Sequence, residues 1–397
     1  MPNLKCNFIF VQNVHNAMYN RILAKEVLRL SEYFKVITIT GPRQSGKTTL
    51  CKMVFPDYDY INLEDETTVS ELELNKKEFL VNHRKGLVID EVQKMPEILS
   101  AIQVVVDEHP DAAFVITGSN NLLLMQRVSQ SLAGRTAVLT LLPFSIAELT
   151  AENKSAGLYN MMLNGFYPAV WAKNTPSQDV YRQYFSTYIQ RDVRQVMNIR
   201  NLSEFRRFIV ICASRIGTEF NAQGISNELG VSIPTIQEWM NVLEASYVAF
   251  RLPPFFRNIG KRLVKTPKIY FYDVGLVCYL LGIHTAQQLE THPLRGSIFE
   301  NMVVCEFLKR QYNNGLDNNL FFFRDKSQHE VDLVQEDGMR LYAYEIKLSS
   351  SIHPDFYKNL KYFRTLFPND TVTTQVINTD TEENSSEETG HRCYLNL

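Results

Sequence analysis

Short apolar runs alternate with helical patterns over the first 142 residues of the chain. Five of these runs predict β-strands, at residues 36–40, 58–63, 87–90, 114–117 and 136–142. The first, third and fourth runs are nearly continuous and rich in β-branched residues, whereas a half-buried strand would alternate apolar and polar side chains. Continuous strands separated by helices are typical of a parallel sheet covered on both faces, so this region is predicted to be α/β.

The pattern changes after residue 142. Residues 143–198 look mostly helical and rich in aromatic side chains, which predicts a helical lid on the first region. Residues 199–285 predict helix, helix, turn and helix, followed by strands near 247–252 and 268–272. Residues 286–397 predict an apolar helix and then strands and a further helix, with an acidic, Ser-rich loop at 380–388.

Composition and charge exclude several classes of protein. The 397 residues contain 41 lysines and arginines against 43 aspartates and glutamates, a net charge of −2, so the chain does not coat nucleic acid by bulk charge. Apolar residues make up 45% of the chain, which is enough to form a core. The six cysteines form no C-x-x-C pair, which argues against a zinc ribbon or a disulfide framework. Since no apolar run approaches ~18 residues and no secretory signal is recognised, we expect a cytoplasmic protein without a membrane span.

The first predicted strand runs into a phosphate-binding motif. Residues 41–48 read GPRQSGKT and fit G-x-x-x-x-G-K-[ST] at every fixed position, between a strand and the start of a helix. Such a loop directs backbone N–H groups and the positive end of the helix at a triphosphate. Lys47 is then expected to bridge the β- and γ-phosphates of ATP, and Thr48 to hold Mg²⁺. An ordinary Gly-containing turn is the alternative to a nucleotide-binding loop made of Gly41, Pro42, Arg43, Gln44, Ser45, Gly46, Lys47, Thr48 and Thr49.

Two carboxylates end the third predicted strand. Asp90 and Glu91 follow a buried apolar run, where carboxylates are costly unless a cation or hydrogen bonds compensate. Asp90 is expected to meet the Mg²⁺ shell and Glu91 to polarise the attacking water. After the next strand, Asn120 or Ser119 is expected to orient that water or to sense the γ-phosphate. The alternatives are a solvated strand end for the two carboxylates and a plain strand-end cap for Ser119 and Asn120.

Four separated motifs resemble those of a known family. GPRQSGKTTL, LVIDEVQKMP, ITGSNN and LAGRT are similar to the motifs of AAA-superfamily ATPases that precede a C-terminal domain of unknown function. The resemblance extends over nearly the whole chain from about Met18, and it implies a P-loop fold that hydrolyses ATP. It also implies that Arg135 in LAGR contacts the γ-phosphate, either within its own chain or as an arginine finger in a homo-oligomer. A surface arginine after a turn glycine is the alternative.

A helix-turn-helix is predicted in residues 221–245. Asn221 and Ser232 are expected to cap its two helices and Gly230 to make the turn, and the strands that follow would form a wing. The second helix carries Glu238 and Glu244 but no lysine or arginine, which disfavours a tight fit against DNA phosphates.

The segment after this helix is basic. Phe255 and Phe256 lie in it and are placed to stack on bases, among Arg251, Arg257, Lys261, Arg262, Lys265 and Lys268. DNA binding by this segment and docking of the segment on an acidic face of the same protein are equal alternatives.

The C-terminal region gathers charged residues on a predicted hairpin. An Asp-Gly pair at 337–338 between two apolar runs predicts the turn, and this turn would place Glu330 opposite Glu345 and Asp332 opposite Ala343. Because side chains alternate along a strand, these residues and Lys347 share one face, which is apolar near the turn and charged at its far end. Like charges that face each other need a positive partner, which is Lys347 or a divalent cation.

Glu300, Asp332 and Glu345-x-Lys347 resemble the PD-(D/E)XK nuclease pattern, with every position occupied. Glu300 lies inside the apolar arc of a helix predicted over 296–310, where a glutamate needs a partner. The resemblance implies Mg²⁺ or Mn²⁺ held by Asp332 and Glu345, with Glu300 assisting and Lys347 activating the water that attacks a phosphodiester. An active nuclease, the same fold without cleavage and a chance match are left open. The neighbouring His329 is interpreted as a strand-edge histidine rather than a ligand.

The predicted architecture has four parts. They are an AAA/P-loop ATPase core (18–142), a helical lid (143–198), a winged-helix-like region (199–285) and a PD-(D/E)XK nuclease-like α/β domain (286–397). The favoured function is ATP hydrolysis coupled to a nucleic-acid-acting domain, with DNA as the candidate partner. The alternative is an ATP-switched DNA- or protein-binding regulator whose nuclease fold is catalytically silent.

Overall fold

A computed structural model describes residues 19–119, 128, 130–152, 156–187, 201–257, 265–384, 386 and 390–397. Two five-stranded sheets and one two-stranded sheet lie in this part of the chain. In the same part, no helix is both long and apolar enough to cross a lipid bilayer.

The first sheet contains five parallel strands. They are β1 (Val36–Thr40), β2 (Asp59–Asn62), β3 (Leu87–Asp90), β4 (Phe114–Gly118) and β5 (Thr136–Thr140), arranged in the order β2-β3-β4-β1-β5. The helices that accompany them are α1 (Ala24–Ser31), α2 (Lys47–Val54), α3 (Glu66–Asn82) and α4 (Ile98–Glu108). The prediction of an α/β fold with a parallel sheet is confirmed, and each predicted strand agrees with the structure to within two residues.

Consecutive residues of the central strands pack into different cores, which explains the continuous apolar runs. Val36 packs with side chains of α3 and α4, whereas Ile37 and Ile39 pack on the opposite face with side chains of α1 and α2. Every residue of β1, β3 and β4 is buried as a result. A sheet covered on both faces needs apolar side chains at odd and even positions alike.

The middle of the chain is helical and shares one large core with the C-terminal region. Its first helices are α5 (Ile146–Ala151), α6 (Leu158–Asn164), α7 (Pro168–Ala172), α8 (Ser177–Gln183) and α9 (Leu202–Ser214). Ser145 and Glu148 form a capping box at the start of α5, so Glu148 is held in place by the helix that carries it.

A helix, a turn, a second helix and two strands follow in the predicted order. Gly230 has a φ of 67° and joins α10 (Ala222–Leu229) to α11 (Ile233–Ala245), which the Ser232 side chain caps. The strands β6 (Ala249–Leu252) and β7 (Lys268–Phe271) form an antiparallel pair. The loop between these strands includes residues 258–264, which lie outside the described part of the chain.

The C-terminal region builds the second five-stranded sheet. Its helices are α12 (Val274–Leu280), α13 (Ala286–Thr291), α14 (Arg295–Asn313) and α15 (Lys358–Leu366). Its strands are β8 (Leu320–Arg324), β9 (Glu330–Asp337), β10 (Arg340–Ile346), β11 (Thr371–Asn378) and β12 (His391–Cys393), in the order β12-β11-β10-β9-β8. The β8-β9-β10 part is antiparallel, and β10-β11-β12 is parallel.

The predicted register of the β9–β10 hairpin is wrong by two residues. Ala343 pairs with Val334 rather than with Asp332, and Arg340 pairs with Asp337, so the loop consists of Gly338 and Met339. Gly338 has a φ of 60°, a conformation that glycine adopts at little cost, and this centres the turn one residue later than predicted. A shift of two residues leaves every side chain on its predicted face, because the period of a strand is two.

Candidate nucleotide site and carboxylate–lysine cluster

Two glycines shape the loop between β1 and α2. At Gly41, whose φ is 144°, a Cβ would lie 2.2 Å from the carbonyl oxygen of Leu141. Gly46 has a φ of 95° and immediately precedes Lys47, the first residue of α2. The loop therefore passes close to the end of β5, and the N-terminus of α2 opens onto a cavity of about 500 Å³.

The Lys47 side chain is folded back onto the loop. Its ammonium donates to the carbonyl oxygens of Gly41 (3.0 Å) and Pro42 (2.8 Å), and the residue is 5% exposed. Burial lowers the pKa of Lys47. The Ser45 hydroxyl in the same loop is also buried and has no hydrogen-bond partner among the described residues. A buried ammonium and an unpaired hydroxyl at a helix N-terminus are groups that a phosphate would satisfy.

Asp90 lies beside this loop and accepts several hydrogen bonds. The Thr48 hydroxyl donates to its carboxylate over 2.6 Å and the Tyr60 hydroxyl over 2.8 Å. The Thr117 hydroxyl and the Glu91 N–H (3.1 Å) donate to the other carboxylate oxygen. Thr48 and Asp90, predicted from separate motifs, are therefore in direct contact.

Glu91 lines the same cavity as Lys47 and Thr48. Its backbone is left-handed, with a φ of 58°, which turns the chain out of β3. Its carboxylate accepts from the amide of Gln93 and from the Ser119 hydroxyl, the latter over 3.2 Å. Ser119, one of the two residues predicted after β4, is thus held against Glu91, whereas Asn120 lies outside the described residues.

Sequence reasoning missed the aromatic side of the cavity. Tyr19 and Phe144 line it, with their ring centroids 4.6 Å apart, and Pro168 and Lys173 line the same cavity. These residues come from three separate segments. No local pattern links them to the loop motif.

Arg21 is the second feature of this site that the sequence did not indicate. The residue is 7% exposed, and its guanidinium donates to the carbonyl oxygens of Ser45 (2.7 Å) and Leu142 (2.6 Å) and to the Glu148 carboxylate (3.0 Å). It also lies 5.0 Å from the centre of the Phe144 ring. Arg21 therefore links the phosphate-binding loop to α5 through hydrogen bonds to Ser45 and Glu148.

Arg135 does not reach this loop within its own chain. It precedes β5, at the amino-terminal ends of the strands, whereas Gly41 follows the carboxyl end of β1, and its guanidinium forms two hydrogen bonds to Asp107 (2.6 and 2.8 Å). The prediction that Arg135 contacts the γ-phosphate of a nucleotide bound to its own chain is therefore wrong. Only the arginine finger in a second copy stays a prediction.

The basic segment after α11 contacts acidic side chains of the same protein where it is described. Arg251 pairs with Glu244, and Arg257 pairs with Asp370. Phe255 is 1% exposed and packs in the core of the C-terminal sheet, so the prediction that it stacks on bases is wrong. Lys265 is exposed, and Lys261 and Arg262 lie outside the described residues.

The carboxylate–lysine cluster consists of Lys268, Glu300, Glu330, Asp332, Glu345 and Lys347. Asp332 accepts from the N–H of Ile346 (2.8 Å) and lies 3.4 Å from the Lys347 ammonium, which is 2.7 Å from Glu345. Burial raises the pKa of Glu345, and the neighbouring charge of Asp332 raises it further. The other oxygen of Glu345, Oε2, is buried without a hydrogen-bond partner among the described residues.

The second half of the cluster comes from β7, which sequence reasoning did not connect with this site. The Lys268 ammonium lies 2.6 Å from Glu330 and 3.5 Å from Glu300, and the Tyr270 hydroxyl donates to Glu300 over 2.6 Å. Burial and the nearby Asp332 charge raise the pKa of Glu300. The partners that the sequence required for Glu300 are therefore present, and they are a lysine and a tyrosine.

The donor set of the cluster fits a hydrated cation better than a fully protein-bound one. Among the described residues, no group of three or more histidine, cysteine, aspartate or glutamate side chains is arranged to hold a metal ion. Asp332 and Glu345, with the unpaired Oε2 atom, offer two carboxylates, and Mg²⁺ commonly binds one or two carboxylates and keeps several waters. His329 contacts Asp325 and stacks on Tyr362.

Family models divide the chain into three matches. A model described as an AAA domain matches residues 33–150. Two models of domains of unknown function, DUF8612 and DUF4143, match residues 155–287 and 295–396.

Similar proteins come from bacteria and archaea. Uncharacterized proteins of Mycobacterium tuberculosis and Mycobacterium bovis are 30% identical over 319 residues, which cover 80% of this chain and 71% of each relative. An uncharacterized protein of Methanocaldococcus jannaschii is 24% identical over 332 residues, covering 76% of this chain and 72% of that protein.

Solved structures give more distant similarities. A Walker-type ATPase of Pyrococcus abyssi has a TM-score of 0.47 and 12% identity, covering 65% of this chain and 94% of that chain. The Holliday junction branch migration motor RuvB of Thermotoga maritima has a TM-score of 0.30 and 18% identity, covering 61% and 92%. Both TM-scores are low, so neither similarity carries an argument about this chain. The sequence identity to the mycobacterial proteins and the AAA match show that this chain belongs to their family and that its residues 33–150 form an AAA-type P-loop domain.

Proposed function

We propose that the chain binds and hydrolyses ATP at the loop of residues 41–49. The observation that carries this proposal is the 2.6 Å contact between the Thr48 hydroxyl and the Asp90 carboxylate, beside the buried Lys47. A hydroxyl at the start of the helix and a carboxylate at the end of a neighbouring strand are the protein groups that hold Mg²⁺ in P-loop enzymes. When bound, Mg·ATP supplies the phosphoanhydride bond that is cleaved.

Each residue then has a defined role. Lys47 exchanges the loop carbonyls for β- and γ-phosphate oxygens, which are stronger acceptors for an ammonium. Glu91 polarises the attacking water, and Gln93 and Ser119 hold its carboxylate in position. The adenine ring is expected on the apolar side of the cavity, next to Tyr19.

The test combines ATP turnover with binding of a fluorescent ATP analogue. Lys47→Ala is expected to lose both, whereas Glu91→Gln is expected to bind the analogue but to turn over roughly 100-fold more slowly, since general-base catalysis contributes about 10²–10⁴. Arg84→Ala, which removes an exposed ion pair with Asp111, is the control and should keep wild-type turnover. Full turnover by Lys47→Ala would show that the loop is not the hydrolytic site.

We further propose that Arg135 acts as an arginine finger across a homo-oligomer. Arg135 precedes β5, at the end of the strands away from its own loop, and bonds to Asp107, so a role in catalysis would be exerted on the loop of a second copy. Light scattering with and without ATP gives the oligomeric state. A monomer whose turnover is unchanged by Arg135→Ala removes the arginine-finger role.

A second candidate function is metal-dependent phosphodiester cleavage at the carboxylate–lysine cluster. It is favoured by the buried, unpaired Oε2 of Glu345 next to Asp332 and Lys347, because a divalent cation or its water would satisfy that atom. Asp332 and Glu345 would hold Mg²⁺ or Mn²⁺ with help from Glu300, and Lys347 would position the attacking water. DNA is the proposed substrate.

Cleavage is tested on single- and double-stranded DNA and RNA, with Mg²⁺ or Mn²⁺ and with or without ATP. Asp332→Ala and Lys347→Ala are each expected to abolish strand scission while leaving ATP turnover intact. Cleavage that persists in both variants would come from a contaminating nuclease. No cleavage by the wild type favours the alternative, an ATP-switched DNA- or protein-binding regulator with a silent nuclease fold.

The regulator alternative rests on two observations. Lys268 and Lys347 already neutralise part of the cluster, and α10, α11 and the β6–β7 pair follow the order of a winged helix. It predicts DNA affinity that changes with the bound nucleotide and no strand scission. Fluorescence anisotropy of labelled DNA with ATP or ADP measures that difference.

A further inference from the structure

Asn378 ends β11 next to the carboxylate–lysine cluster. Glu345 of β10 pairs with Val376 of β11, and the Lys347 N–H donates to the carbonyl oxygen of Ile377 over 2.8 Å. The parallel pairing therefore continues one residue further and sets Asn378 beside Lys347. Because side chains alternate along a strand, Asn378 lies on the same face as Glu345 and Lys347.

The Asn378 amide is buried but unpaired. The residue is 0% exposed, and neither Oδ1 nor Nδ2 has a hydrogen-bond partner among the described residues. The Oε2 of Glu345, on the same face, is in the same state. Buried polar groups nearly always have partners, so unpaired atoms on one face of two adjacent strands indicate a group that binds between these strands.

The fold itself gives no reason for an asparagine here. Val376, two residues earlier on the same face of β11, is a fully buried apolar side chain, and an apolar residue at 378 would extend its core. An unpaired buried amide costs stability relative to such a residue. A residue that costs stability and faces charged neighbours is better explained by binding than by folding.

We propose that Asn378 is a further binding residue of this cluster. Its amide oxygen binds a divalent cation that Asp332 and Glu345 hold. This inference rests on the proposed metal-dependent function of the cluster. Mg²⁺ and Mn²⁺ prefer oxygen ligands, and two carboxylates leave most of their coordination positions to other oxygens. A neutral amide oxygen adds a ligand, directly or through a water, without adding charge to a cluster that already holds four carboxylates and two lysines.

Asn378→Leu separates a binding role from a folding role. Leucine has nearly the shape of asparagine but no polar atoms, so the metal-free variant is expected to melt at a higher temperature than the wild type. Its affinity for Mn²⁺, measured by calorimetry on the full chain without nucleotide, is expected to fall at least about tenfold. Asn378→Asp keeps the oxygen and is expected to bind Mn²⁺ at least as tightly as the wild type. Asn313 is a buried asparagine at the C-terminal end of α14, away from Glu300, and Asn313→Leu should leave Mn²⁺ affinity unchanged.

The outcomes distinguish this inference from the function on which it rests. Unchanged Mn²⁺ affinity in Asn378→Leu, or a tenfold loss in Asn378→Asp, overturns the role of Asn378 while the metal site stands. If Asp332→Ala binds Mn²⁺ as tightly as the wild type, both the metal site and the role of Asn378 are overturned.

Discussion

Lys268 carries a positive charge into the protein interior, since only 3% of its side chain is exposed. Its partners, Glu300 and Glu330, lie on α14 and β9, more than thirty residues away in sequence. From the sequence, Lys268 belongs to a basic segment for which nucleic-acid binding and docking on an acidic face of the same protein are equal alternatives. A lysine has no local signal for burial, because the carboxylates that make burial tolerable come from other elements.

Replacing Lys268 with methionine is expected to destabilise the protein by about 3 kcal/mol, because methionine fills the space but leaves two half-buried carboxylates without their cation. This value is at the lower end of the range for buried pairs, since 29% of the Glu330 side chain is exposed. Urea unfolding at neutral pH measures the change. Lys265→Met removes an exposed lysine of the same segment and should stay within about 0.5 kcal/mol of the wild type. Equal effects of the two substitutions would contradict the importance of the buried pairs.

Residues within a contiguous motif were predictable, and residues joined only by folding were not. Lys47, Thr48, Asp90 and Glu91 follow spacings that a strand end and a helix start impose. Lys47, Thr48 and Glu91 line one cavity, and Asp90 accepts a hydrogen bond from Thr48. Arg21 reaches the same loop from before the first strand, where no pattern marks it. Long-range contacts of single polar side chains carry no periodicity from which to predict them.

At the scale of elements, the strand–loop–helix unit of β1 and α2 depends on the close approach of Gly41 to Leu141. A methyl group on Gly41 would lie 2.2 Å from the Leu141 carbonyl oxygen, so Gly41→Ala must displace the loop. The variant is expected to lose binding of the fluorescent ATP analogue. Gly134 also has a positive φ (73°) but has open space around it, so Gly134→Ala should cost only about 1 kcal/mol and keep nucleotide affinity. If Gly41→Ala bound the analogue normally, the loop would not be the nucleotide site.

Element types were predictable from periodicity, whereas the hairpin register was not. The helix over 296–310 appears as α14, and β9 and β10 appear on either side of a two-residue turn. The Asp-Gly signal located this turn to within one residue, but a turn with glycine at its first position instead of its second shifts every cross-strand pair by two. Hydrophobic patterning does not separate the two registers, because both keep the same face buried.

At the scale of the whole molecule, a buried network joins the nucleotide loop to the C-terminal region. Arg21 holds the loop and Glu148, which lies on α5. The N–H of Ile146, at the start of α5, donates to Glu306 of α14 over 2.7 Å. The Lys309 ammonium bonds to Glu306 (2.6 Å) and to the Phe144 carbonyl oxygen (2.7 Å). Since α14 also carries Glu300 of the carboxylate–lysine cluster, one helix contributes to that cluster and bonds to Phe144, which lines the nucleotide cavity.

This arrangement predicts that nucleotide binding changes the local stability of α14. Adding Mg·ATP to the wild type should slow amide hydrogen exchange in residues 299–313, because ordering the loop also orders the groups bonded to it. The double variant Glu306→Gln, Lys309→Met removes both buried charges together and so avoids an unpaired ion, yet it weakens the bonds from α14 to α5 and to Phe144. Its α14 exchange should no longer respond to Mg·ATP, although the analogue still binds, since neither residue lines the cavity. If exchange slows equally in the variant and the wild type, nucleotide binding is coupled to α14 through other contacts, such as the 2.9 Å hydrogen bond between Thr40 and Tyr247.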